Sequence, residues 1–109
     1  MANIYNNAKV DLTTTNNTTI YTTPAGSRAI IKNIVVSDDS GNGDSITMTI
    51  TDASSAIFSL FKTKTIAANA TTEMISEPII LEESEILKAQ ATTAGRLHVV
   101  VSLLEINRD

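Results

Sequence analysis

At 109 residues the chain has the size of one domain, and with no Trp, two Phe and two Tyr its core must rest on Ile, Leu, Val and Ala. A net charge of −4 argues against nucleic acid or an anionic membrane surface as partner, because both call for clustered Lys and Arg. The lack of cysteine removes disulfides and thiolate metal sites, and no stretch approaches the roughly 20 apolar residues of a membrane helix.

The sixteen threonines, with many Ile and Val, favour the pleated surface of a sheet. Residues 1–7 set Ile4 and Tyr5 among Asn3, Asn6 and Asn7. They read as an arm that adds to a neighbour's sheet edge, or as an extension of the first strand. A strand over 8–13 places Val10 and Leu12 on one face, and a second over 18–22 centres on Ile20. After the Pro24-Ala25-Gly26 turn, 28–37 is apolar on both faces, as in a central strand covered on each side. Over 46–52, Ile46, Met48 and Ile50 alternate with Thr47, Thr49 and Thr51, giving one apolar and one wet face. The strand over 57–65 carries Phe58, Leu60 and Phe61, with both Phe expected in the core. Shorter, more polar strands follow over 71–76 and 85–92. Residues 82–88 hold the one stretch with helical propensity, enough for a single turn. The last strand, 96–106, turns Leu97, Val99, Val101 and Leu103 the same way.

These elements predict an all-β fold, an antiparallel β-sandwich of about eight strands, of which the jelly roll is one form. A single domain spans 8–106, behind the arm at 1–7 and before a short tail at 107–109.

Candidate sites are few. The loop from Asp38 to Asp44 spaces oxygen ligands as the start of a calcium loop does, with Asp38, Ser40, Asn42 and Asp44 as candidates. The twelfth position is Thr49 where that motif needs Glu, and the same residues equally make a hairpin loop. His98 is the single histidine, and no nucleophile pattern accompanies it. Glu77, Glu82, Glu83 and Glu85 read as a solvated acidic surface, since too few aromatic residues are present to wall a sugar site. No phosphate loop or dinucleotide fingerprint occurs, so no catalytic residue and no cofactor is expected.

The segment from Thr18 through Pro24-Ala25-Gly26 to Ser37, the acidic turn at 81–88 and the Val-rich run after Gly95 together resemble small β-sandwich virion proteins of tailed bacteriophages, marine ones especially. The resemblance implies a non-enzymatic part made in the host cytoplasm and built into the virion in many copies. Capsid decoration, or cement, comes first among its implied roles, with a neck or tail accessory as the alternative. The implied partners are other virion proteins and copies of the chain itself, with a trimer expected. Ile4, Tyr5 and Tyr21 are the expected assembly contacts. A host-surface carbohydrate-binding module is the alternative of another class, with Tyr5 and Tyr21 as its stacking residues.

Overall fold

The computed structural model describes residues 2–107; Met1, at the head of the expected arm, and Arg108 and Asp109, in the expected tail, lie outside the described residues. Nine strands and no helix are found among the described residues. They are β1 (Ala2–Leu12), β2 (Thr18–Thr22), β3 (Ser27–Asp38), β4 (Asp44–Thr51), β5 (Ile57–Ile66), β6 (Thr71–Glu73), β7 (Ile79–Leu81), β8 (Ile86–Ala91) and β9 (Leu97–Asn107). One sheet runs β1-β9-β3, with β6 and β7 pairing successive parts of β3, and the other runs β2-β8-β4-β5. All pairings are antiparallel, and the chain wraps from sheet to sheet in the order of a jelly roll, with one strand of that order split into β6 and β7.

Period-two alternation puts Leu97, Val99, Val101 and Leu103 of β9 wholly inside. Ile46, Met48, Leu87, Ala89 and Ala91 face them from the other sheet. Each such aliphatic side chain contributes about 1.5–3 kcal/mol by leaving water.

The strand β3 departs from the expectation of two covered faces. Its register with β9 slips between Ile31 and Asn33, and this bulge reverses the phase of the alternation. Ala29 and Ile31 therefore point inward before it, and Ile34, Val36 and Asp38 after it, although Ile31 and Ile34 stand three apart. The second apolar set, Ile30 and Val35, lies half-buried on the outer face, so one face of β3 is core and the other is surface.

Three further expectations need correction. Phe58 is 57% exposed, because β5 is an edge strand and only Leu60 and Phe61 of its middle pack on the core. Thr49 is buried where a wet face was expected, held between Lys88 on β8 and Ser59 on β5. Residues 82–85 form a tight turn between β7 and β8 in place of a helical turn, with Ser84 at φ 66° and Glu85 N–H donating to the Glu82 carbonyl. The three-residue β7 adds a strand that follows directly on Pro78, whose missing N–H suits the position before a strand.

Candidate assembly surfaces

The strands run the length of a body measuring 45 × 26 × 22 Å, so its two ends carry the loops. The end beyond Asp38 collects the connections at 39–43, 67–70 and 92–96. Asp38 is buried there and its carboxylate takes four donors. Oδ1 accepts the Ser40 hydroxyl at 2.7 Å and the Ser40 N–H at 3.1 Å, while Oδ2 accepts N–H groups of Gly43 (3.0 Å) and Asn69 (2.9 Å). The Ser40 hydroxyl first, then these backbone donors, hold its carboxyl well below the usual range. Of the calcium candidates, Asp38 and Ser40 thus meet each other, and among the described residues no group of three or more His, Asp or Glu side chains could hold a metal ion. Asp44 accepts the Thr93 N–H at 2.8 Å, the Ser40 hydroxyl oxygen accepts the Asn42 N–H, and Arg96 donates to the Gly43 carbonyl. Gly43 sits at φ 73°, where a Cβ would come within 3.2 Å of the Ile66 carbonyl oxygen.

Nearby, on the outer face of the five-stranded sheet, Asp11, His98 and Ser37 are cross-strand neighbours in one row. His98 Nε2 lies 3.3 Å from Asp11 Oδ1, an orienting carboxylate that sequence reading did not find. No hydrogen bond joins Ser37 to His98, and the row lies on an open strand surface. The two side chains form an exposed polar contact beside Lys9 and Val100.

The opposite end, beyond Ser27, is built differently. Tyr21 donates its hydroxyl to Glu105 Oε1 at 2.6 Å across the gap between the sheets. Burial first, and then Glu105 as acceptor and as charge, push the Tyr21 phenol upward. Ile4 is the cross-strand neighbour of Glu105 and points the same way, whereas Tyr5 points to the outer face. The three expected assembly residues therefore share this end but not one surface. Tyr5 instead begins a row through Leu104 and Ile30 to Ile80, crossing β1, β9, β3 and β7. On the other sheet Ile57 and Phe58 open β5 at the same end, opposite Thr51 and Ile50. Six large apolar side chains are well exposed among the described residues, and five of them (Ile4, Tyr5, Ile57, Phe58 and Ile80) lie toward this end. The sixth, Val100, lies midway along β9. Leu104 and Ile106, partly buried on the face of β9 opposite the core, continue the apolar row on this sheet.

No family model and no curated protein matches the chain. Solved structures share its fold. A chain from the acid-stable capsid of Helicobacter pylori bacteriophage KHP30 superposes with a TM-score of 0.60 at 11% identity, over 97% of this chain and 89% of that one. A chain from the disulfide-linked pili that form Bacillus endospore appendages gives 0.59 at 11% identity, over 98% and 89%. The capsid of cyanophage Pam1 supplies a looser match, 0.45 at 19% identity, over 94% and 83%.

Proposed function

We propose that the protein is a non-enzymatic structural part of a phage virion, a capsid decoration or cement protein that docks on the shell as a symmetric oligomer. The observation that carries this reading is the gathering of Ile4, Tyr5, Ile57, Phe58 and Ile80 at one end of the sandwich. Though they face different ways, side chains this apolar and this exposed, concentrated around one end, suit contact with another molecule there. The turn between β7 and β8 at that end holds Glu82, Glu83 and Glu85, with Arg28 of β3 beside Glu82, which suits an apolar partner surface rimmed by Lys and Arg. The fold it shares with a capsid chain of phage KHP30 supports the same reading. A further fold neighbour belongs to disulfide-linked pili, and a chain without cysteine has no such link to offer.

The test adds purified protein to shells of the same virion assembled without it, followed by cryo-electron microscopy. Extra density repeated over the shell is expected, together with its loss for the Phe58→Asp/Ile80→Asp double variant, whose circular dichroism should match the parent. Density confined to the neck or tail would move the protein to the accessory role. No density anywhere would remove the virion reading.

A further inference from the structure

The edges of the two sheets are guarded unequally. In the four-stranded sheet β2 has five residues and a bulge between Thr19 and Tyr21. At its other edge β5 slips register twice, carries Thr63 at φ 53° and presents Lys62 and Lys64. In the five-stranded sheet β6 and β7 have three residues each. Shortness, bulges and lysines are the devices that keep an edge from pairing with another strand. The remaining edge, β1, has none of the first two: eleven residues pair with β9 in one unbroken register. Its one lysine, Lys9, shares the outer face with Asp11 two residues on. At its centre the Asn7 N–H is met by the side-chain oxygen of the preceding Asn6 at 2.9 Å, a local substitute for a neighbouring strand.

We infer that two copies of the chain pair antiparallel through the free edges of β1, with Asn7 facing Asn7 of the second copy. Asn7 is the midpoint of Ala2–Leu12, so this register uses the whole strand. It also matches residues by type. Tyr5 meets Lys9, a cation over an aromatic face, and Asn3 meets Asp11, an amide beside a carboxylate. Ile4, 47% exposed in the single chain, meets Val10 on the side that faces the core. No like charges stand opposite each other, which cross-strand pairing requires. The contact is isologous and closed by a two-fold axis, in place of the three-fold expected from resemblance.

The two-fold also turns the apolar ends to opposite poles of the pair. On the virion reading, on which this last step alone rests, one dimer then seats on two sites and ties them together. That bivalence raises avidity without new contacts.

The cysteine-free chain makes the register testable with a single introduced thiol. Facing residues of an antiparallel pair have Cα atoms about 4.5–5.5 Å apart, within disulfide reach. Asn7→Cys should therefore convert to a covalent dimer on mild oxidation. Asn3→Cys should not, because eight residues of strand separate the two thiols by about 27 Å. Light scattering of the parent should give a dimer, weakened by Tyr5→Lys and restored by Tyr5→Lys/Lys9→Glu. A parent that stays monomeric at its highest soluble concentration overturns the inference. So does a dimer that cross-links through Asn3→Cys, or one that fails to cross-link through Asn7→Cys. These readings use the purified chain alone. A monomer that still decorates shells sinks the pairing and leaves the virion role, whereas a β1-paired dimer that ignores shells does the reverse.

Discussion

The two ends of the sandwich hold the same two sheets together by different means. Beyond Asp38, one buried carboxylate gathers donors from its own loop and from Asn69, while Asp44 and Arg96 tie in the neighbouring loops. Beyond Ser27, the Tyr21 hydroxyl on Glu105 joins the two sheets, while the Ser27 hydroxyl on Asn107 and an exposed Arg28–Glu82 pair at 3.4 Å join neighbours on the five-stranded side. Polar groups close the first end and leave few large apolar side chains in water. The second end leaves five of them exposed. Side chains left in water add little to folding, so the apolar end is the one whose composition folding does not account for.

The sharpest way to break this contrast is to unlock the first end. Asp38→Ala removes one buried, charged acceptor from the N–H groups of Ser40, Gly43 and Asn69 together, and hydrogen bonds to a charged group are the stronger kind. It should give the largest fall in thermal midpoint of any single polar substitution in the chain. Acid should act the same way. The folded carboxyl titrates below its unfolded value, so its contribution is complete above the ordinary Asp range near ~4 and is lost as pH falls beneath it. Denaturant melts at falling pH should show the parent losing stability in that window and Asp38→Asn changing less. Next in size comes Gly43→Ala. It puts a Cβ at φ 73° and within 3.2 Å of the Ile66 carbonyl oxygen, and should cost about 1–2 kcal/mol in equilibrium unfolding. A neutral result there would mean that the loop is free to shift and that the end is less rigid than its hydrogen bonds imply.

Much of this was readable from the chain. The face of β9 that carries Leu97, Val99, Val101 and Leu103 needed only period-two alternation, as did the placement of His98 on the opposite face. The bulge at Lys32 and Asn33 was hidden, because a phase reversal in an apolar run looks the same as a strand buried on both sides. The loop at 38–44 was located correctly, but what its Asp38 does depends on Asn69, thirty-one residues away and set opposite only by the sheet pairing. The apolar end was out of reach for the same reason. Ile4, Ile57 and Ile80 belong to three edge strands, and nothing local says that β1, β5 and β7 present them toward one pole. Tyr5 and Ile4 adjoin in sequence and face apart in the sheet.

The open end should show the smaller and opposite response. Tyr21→Phe removes a hydroxyl whose acceptor, Glu105, still reaches water, so the loss at neutral pH should be about 1 kcal/mol. The sign of its pH dependence reverses that of Asp38. A phenol whose folded pKa lies above the unfolded one contributes fully below the ordinary Tyr value near ~10, and its contribution fades as pH rises past that point. Chemical unfolding through the alkaline range should therefore separate the two proteins at neutral pH and bring them together as the unfolded phenol ionises. If the curves instead stay parallel, the Tyr21–Glu105 bond is not what joins the sheets at this end. The packing of Ala29 and Leu81 beneath it would then have to hold the apolar surface in place.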